Sequence, residues 1–348
     1  MKTQVIISLV SLSIQLVSFA VAQPVWHKQQ DLVLDVGSPG TWDDARVGPD
    51  QILFENGVYR LWYTGWDGTT NLNFQIGLAS STDGINWMRD SLDPVVPKGG
   101  TGDWDSAGTS QPSVIKEGDF YKMWYSGGNS SLRGIGYAES PDGVHWTKHP
   151  GNPVLWQGSP GSWDSWSSHW CSVIKDGAQY RMWYSGGASF TTHRIGYATS
   201  PDGINWTKYV GNPVLAPDHC GSWDDVQVWF PEVVKEGSTF HMWYAGYDTN
   251  AVCRIGYAIS EDGITWEVQE CNPVLTVGGA GTWDDHGVLC ATILPTKPWR
   301  MWYQGFDAGD IGRIGYATTA SCGADLDLDG DVDMDDFASF QQQFTGPQ

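Results

Sequence analysis

Asp50 and Glu232 are the residues whose type and setting point most directly to chemistry. Each falls in a strand-like run in the innermost part of a repeated unit, where the other units offer no carboxylate. Cleavage of a glycosidic bond takes two carboxyl groups flanking it: one protonates the leaving oxygen, the other activates water or attacks carbon. Asp50 is read as base or nucleophile and Glu232 as acid, with Asp103 as a further carboxylate for tuning or orientation. Arg46, Asp103, His169, Gln227 and His286 cluster near the same strand starts and are not repeated, and with Gln111 of the Asp50 column all but Asp103 are candidates for binding substrate. Arg46, His169 and His286 also suit an anion, which keeps a phosphate nucleophile open in place of water. Trp66, Trp166, Trp170 and Trp229 are likewise unrepeated, as is Trp156. Their flat rings suit the apolar C–H face of a sugar; the competing reading is packing within long loops.

A second constellation closes the chain. Asp325, Asp327, Asp329, Asp331, Asp333 and Asp336 fall at positions 1, 3, 5, 7, 9 and 12 of a calcium loop, with Gly330 at the turn. Calcium takes such oxygen ligands, and position 7 gives its backbone carbonyl. A helix-like run, 337–344, follows. Calcium is therefore the expected cofactor of the tail, and none is implied for catalysis.

What must position the first group is a repeat of about 60 residues. Trp-Asp recurs from Trp42 to Trp283, Trp-Tyr from Trp62 to Trp302, and Ile-Gly-x-Ala from Ile76 to Ile314, five times each. A Ser/Thr-x-Asp-Gly turn with Trp three residues on recurs four times, ending at Trp87, Trp146, Trp206 and Trp266. Each unit holds four short strand-like runs separated by turn residues, which is a propeller blade. The fifth unit stops at Thr318-Thr319 without its fourth strand. Trp26-His27-Lys28, followed by Asp31-Leu32-Val33-Leu34, matches that missing strand. The expected fold is all-β: a five-bladed β-propeller over 23–320, closed by its N-terminal strand, then a short EF-hand-like loop and helix over 321–348. The WD-repeat is excluded, because its period is shorter and the Trp-Asp here precedes the first strand.

The repeat sorts the side chains. Of 21 tryptophans, three columns hold five each, and packing between blades accounts for those. The Asp after each first-column Trp is read as a cap on backbone N–H groups in its turn. Aligning the innermost strands puts Asp50, Gln111, Trp170, Phe230 and Leu289 in one column, and Ile52, Ser113, Ser172, Glu232 and Ala291 two residues on. Strand residues two apart share a face, so Asp50 and Glu232 are expected to face each other across the axial funnel.

Whole-chain features set the compartment and the partners. Lys2, an apolar stretch to Val21 and Ala20-Val21-Ala22 have the make-up of a secretory leader over 1–22, so a secreted or cell-surface protein is expected. No later stretch is long and apolar enough to span a membrane. A net charge of −21 argues against nucleic acid. Six cysteines suit an oxidising compartment, and Cys220–Cys253 is the first pairing expected. The expected partner is a carbohydrate, met by a monomer.

The five blades, the N-terminal strand closure and the acid on the first strand of blade one resemble the five-bladed propeller glycosidases, families 43 and 32, with the family 130 phosphorylases among their relatives. The resemblance covers 25–320. It implies an acid acting as base or nucleophile at Asp50, although Asp50-Gln51-Ile52-Leu53 lacks the Pro of the family's Asp-Pro-Ser-Val-like run. The family's second Asp and its Glu are matched here by Gln111-Pro112-Ser113 and His169-Trp170-Cys171, and Glu232 stands in blade four instead. The Asp at position 12 of the tail loop resembles dockerin. A dockerin carries two such loops and this chain has one, which weighs against a cohesin-like partner. The readings left standing are a secreted glycoside hydrolase, a non-catalytic carbohydrate-binding or cell-surface propeller, and a glycoside phosphorylase.

Overall fold

The computed structural model describes residues 24–319, apart from 70–72, 130–131, 218–221 and 271, and every regular element among them is a β-strand. The leader, Cys220 and the whole calcium-loop tail with its helix lie outside the described residues.

The strands form five antiparallel units of four. Blade one is Arg46–Glu55, Val58–Trp66, Phe74–Ser81 and Met88–Arg89. Blades two, three and four repeat it, beginning at Gly108–Glu117, Ser167–Asp176 and Gln227–Glu236. Blade five has Gly287–Leu294, Arg300–Phe306 and Gly312–Thr319, and its outer strand is Trp26–Lys28, paired antiparallel with Gly312–Thr319. The first strands touch one another in a ring, blade one through blade five and back to blade one. Strand pairing does not run round that ring: blades five and four, and blades one and five, share only single bridges, Cys253↔Gly287 and Arg46↔Gly312. Side-chain packing and hydrogen bonds between side chain and backbone close it. The result is the five-bladed propeller with N-terminal strand closure that the repeat predicts.

The repeated residues explain why blades form and adhere. In the Asp-Gly turn, Asp83 Oδ1 accepts the N–H groups of Ile85 and Asn86, each at 2.8 Å, and Ser81 Oγ accepts that of Gly84 at 2.9 Å. Gly84 has φ +80°, and its carbonyl accepts Trp302 Nε1–H from the neighbouring blade at 2.8 Å. Trp62, Trp124 and Trp183 donate in the same way to Gly143, Gly203 and Gly263. Trp243 completes the column but finds no such glycine, because the N-terminal strand brings Trp26 there instead. Trp26 packs edge-on against it, centroids 6.2 Å apart, and both indole N–H groups lack a hydrogen bond among the described residues. The Asp of Trp-Asp is structural as expected, but by another means than backbone capping. Asp43 accepts the hydroxyls of Thr41 and Tyr63, and Arg89 Nε–H at 2.8 Å, so it ties the outer strand to the second one.

Two expectations are corrected. Cys253 is a free, buried thiol packed with Trp229 and Ala245, so the Cys220–Cys253 pairing is not made. The inner-strand columns also shift. The hairpin turns after these strands are two residues long, and Gly stands second in blade one (Asn56-Gly57) but first in blade two (Gly118-Asp119), with Asn56 taking φ +52°. Aligning on glycine displaced blade one by a residue, and blade five is displaced because Leu294 to Arg300 is one residue shorter than the matching stretch from Ile115 to Lys122. By strand register, Asp50 aligns with Pro112, Cys171, Pro231 and Ala291; Glu232 aligns with Gln51, Ser113, Ser172 and Thr292.

Candidate functional site

Every innermost strand carries a β-bulge where it meets the axis. The register slips at Asp50 in blade one and at the corresponding point of the other four. Gln111, Trp170, Phe230 and Cys290 occupy the bulges with φ between +42° and +51°. Blade one has Pro49 in that place, and proline's ring fixes φ near −65°. Its bulge therefore takes another form, with Asp50 as the unpaired residue. The bulged backbone N–H groups are tied to the preceding blade: Gln111 to Thr64 Oγ1 (2.8 Å), Trp170 to Ser126 Oγ (2.7 Å) and Phe230 to Ser185 Oγ (2.9 Å). These bulges re-aim side chains into the funnel and hold them there.

Above the bulges lies a cavity of about 700 Å³. Its floor carries Asp50 and Gln111. Asp50 Oδ2 accepts the Thr64 hydroxyl at 2.6 Å. Burial pushes the Asp50 carboxyl well above the usual carboxylate range; the bonds from Thr64 oppose that rise and nearby Glu232 adds to it. Among the described residues no other carboxylate lines this cavity.

Two arginines stand in its wall. Arg46 lies over Trp66, its Cζ 4.6 Å from the ring centroid, and pairs with Asp310. Arg133 lies 4.1 Å over the Trp166 ring, and no carboxylate among the described residues pairs with it. The opposite wall is aromatic. Trp170 stacks on Phe230 at 4.3 Å and meets Trp229 edge-on at 5.1 Å; Trp166 meets the exposed Phe190 edge-on.

His169 locks that wall. It stacks on Trp170 at 3.5 Å, and its Nε2 lies 3.0 Å from His193 Nε2. His193 Nδ1 lies 3.0 Å from Gln227 Oε1. With the amide oxygen accepting, His193 donates from Nδ1 and accepts at Nε2 from His169, which assigns both tautomers. Burial lowers His193 to about 4 and His169 well below its ordinary value, so both rings are neutral near pH 7.

The structure thus brings together Arg46, Asp50, Trp66, Gln111, Trp166, His169, Trp170 and Trp229. Four expected residues stand elsewhere. Asp103 is exposed and caps its own turn, accepting Gly100 N–H at 2.7 Å. His286 is exposed, against Asp285 at 2.7 Å. Gln227 is buried behind the wall as the partner of His193. Glu232 lies below the floor: it lines only a second cavity of about 30 Å³ in the axial neck, which Asp50 and Gln111 also line. The two carboxyls therefore do not flank the large cavity. The frame explains this: Asp50 occupies the position just before the one that Glu232 occupies in blade four, and successive strand residues point to opposite faces.

Glu232 also performs a repeated task. Val114, Val173 and Val233 donate backbone N–H groups to Gln51, Ser113 and Ser172 of the preceding blade, and Ile293 donates to Glu232 Oε1 at 3.4 Å. Ser172 Oγ and Thr292 Oγ1 donate to its two oxygens. Burial nevertheless pushes this carboxyl up to about 8.

Arg133, His193 and Phe74 were missed, and one signal would have found them. They stand two residues before Ile135, Ile195 and Ile76 of the Ile-Gly motif, in a column completed by Cys253 and Gly312. That column varies in every blade, as a funnel-lining column should.

Fold and cavity define a five-bladed β-propeller with an axial cavity, and solved structures share that fold. A solved glycoside hydrolase aligns over 85% of this chain and 93% of its own, with TM-score 0.71 and 16% identity. A structure described under "The GH130 family of mannoside phosphorylases contains glycoside hydrolases that target beta-1,2 mannosidic linkages in Candida mannan" aligns over 86% and 94%, with TM-score 0.70 and 17% identity. At such identities the likeness is one of fold. In sequence, the uncharacterized proteins MT1551 and Rv1502 of two Mycobacterium tuberculosis strains are each 31% identical over 242 residues, 66% of this chain and 77% of theirs. The chain belongs to the family of these mycobacterial proteins. The model of glycoside hydrolase family 130, described as beta-1,4-mannooligosaccharide phosphorylase, matches residues 172–278, a stretch that includes Glu232 and not Asp50.

Proposed function

We propose that the chain is a glycoside phosphorylase acting on a β-mannoside oligosaccharide, with Asp50 as its acid. The observation that carries this is the content of the large cavity among the described residues: one carboxyl, two arginines and an aromatic wall. Two-carboxyl hydrolysis needs a second group to activate water or attack carbon. Phosphate supplies its own nucleophile, so phosphorolysis needs one acid and a cationic seat. Asp50 takes the acid's role rather than that of base or nucleophile, because its burial keeps the proton on it. The family 130 description supplies the sugar class.

The steps balance. An oxygen of HPO₄²⁻ attacks the anomeric carbon as the bond to the leaving oxygen breaks, and Asp50 gives that oxygen its proton. The products are a shortened sugar with a free hydroxyl and a sugar 1-phosphate that still carries the phosphate's proton. That proton restores Asp50. A single displacement inverts the anomeric carbon, so a β-mannoside gives the α-1-phosphate. Arg133 holds the phosphate, because Arg46 is engaged by Asp310 and a guanidinium matches a phosphate in bidentate geometry. The wall of Trp166, Trp170 and Trp229 receives the apolar faces of the sugar rings.

The test is sugar release from β-1,4-mannooligosaccharides with and without inorganic phosphate. Release that depends on phosphate supports the reading; equal release in its absence makes the protein a hydrolase, and none on a broad panel leaves a binding propeller. Arg133→Ala is expected to raise KM for phosphate by about tenfold or more, as a charged hydrogen-bonding partner worth ~1.5–3 kcal/mol is removed. An unchanged phosphate KM would move the phosphate seat away from Arg133.

The reading includes export and a calcium-binding tail. Both rest on sequence: the leader-like run 1–22, and the Asp325–Asp336 spacing. Calorimetric titration of the full chain is expected to show calcium uptake that is lost when Asp325 and Asp327 are replaced by Ala. Uptake unaffected by those changes would remove the tail as the site.

A further inference from the structure

The axial neck below Asp50 is small, and carboxyl and amide groups share its lining with apolar side chains. Its volume, about 30 Å³, has room for water, and a buried water needs two to four polar partners. The polar side chains on it are Asp50, Glu232 and Gln111; the rest of the lining is proline, aromatic ring, alanine and thiol. Gln111 Oε1 is buried and has no hydrogen-bond partner among the described residues. A buried amide oxygen left that way costs about 1–3 kcal/mol, so a donor is called for.

We propose that one water on the propeller axis links Gln111, Glu232 and Asp50, and that Glu232 acts through it as a positioning residue that keeps the proton on Asp50. The reading rests on Asp50 being the acid of the proposed reaction. The water gives one hydrogen to Gln111 Oε1, which only accepts, and the other to a Glu232 carboxyl oxygen. Its lone pairs then face Asp50, a placement that suits a protonated carboxyl and opposes an ionised one. Once Glu232 ionises, above about pH 8, its negative charge acts in the same direction, since like charges in one buried site disfavour the second ionisation. The pair loses its protons in two coupled steps, and the last proton stays on Asp50.

The surroundings leave this pair to itself. Cys171 and Cys290, the other titratable groups on the neck, are pushed up by burial and stay neutral. His169 is neutral, and Arg46 and Arg133 stand on the cavity side of Asp50. Ser172 and Thr292 are the hydroxyls that contact Glu232, and the Gln of Glu232→Gln still accepts Ile293 N–H.

The test reads Asp50 directly. In protein labelled with carboxyl-¹³C aspartate, the Asp50 resonance is assigned by its loss in Asp50→Asn and titrated in wild type and Glu232→Gln. The expected result is a fall in the Asp50 titration midpoint by about one pH unit, with the alkaline limb of kcat/KM moving down by the same amount. Gln111→Leu, which removes the water's acceptor without touching the bond to Ile293, is expected to move it the same way by less. An unmoved Asp50 midpoint in both variants overturns the proposal. The resonance shift needs no turnover. A shift seen in a protein that Asp50→Asn leaves fully active would support the carboxyl pair and overturn Asp50 as the acid.

Discussion

Asp50→Asn is expected to lower kcat by about 10²–10⁴-fold, the usual worth of a general acid, while sugar binding changes little. The amide keeps the size of the side chain and still accepts the Thr64 hydroxyl, so the blade-one bulge is retained. What it lacks is a proton to give the leaving oxygen. Substrates with activated aryl leaving groups, which need little protonation, should lose far less than natural oligosaccharides. That difference separates loss of an acid from loss of a nucleophile, which would stop both. An equal loss on both substrate types would return Asp50 to the nucleophile role that the family 43 and 32 resemblance implies.

The largest stability effect is expected at the seam. Trp26→Ala should cost ~3–5 kcal/mol, the range for truncating a buried aromatic. Trp26 is buried against Trp243 in the cluster that joins blades four and five, and its strand is the fourth strand of blade five. Lys28 on the same strand bonds Asp284 at 2.7 Å, so the pairing fixes the Trp-Asp motif of that blade too. The N-terminal strand has no neighbouring blade turn to bind, and ring packing and strand pairing are what it contributes. Equilibrium urea unfolding reads the change. A midpoint equal to wild type would mean that the propeller closes without this strand.

Much of this architecture was legible because its repeated residues do one job in every blade. Trp-Tyr, Asp-Gly and Ile-Gly mark a second strand, an outer turn and a third strand, and a missing fourth strand at one end matched a spare one at the other. The site was less legible because bulges carry it. An alignment that puts glycines in one column assumes that the turn places them alike, and Asn56 in the left-handed position breaks that assumption. One residue of slip exchanged Asp50 for its neighbour and made two carboxyls share a face that they do not share. His286 and Asp103 were near in sequence to the strand starts, but their side chains serve turns and solvent. Arg133 lay in the third-strand column, which varies as freely as the first. The cysteines misled for another reason: Cys171, Cys253 and Cys290 act as small apolar side chains in the interior.

The single most direct test of the account is the identity of the product. Wild-type protein incubated with a β-1,4-mannooligosaccharide and inorganic phosphate should yield mannose 1-phosphate of α configuration, followed by ³¹P NMR, in amounts equal to the phosphate consumed and absent with Asp50→Asn. Free mannose formed with no phosphorus-containing product would contradict it, and would mean that water, activated by a group not yet found in the cavity, is the nucleophile.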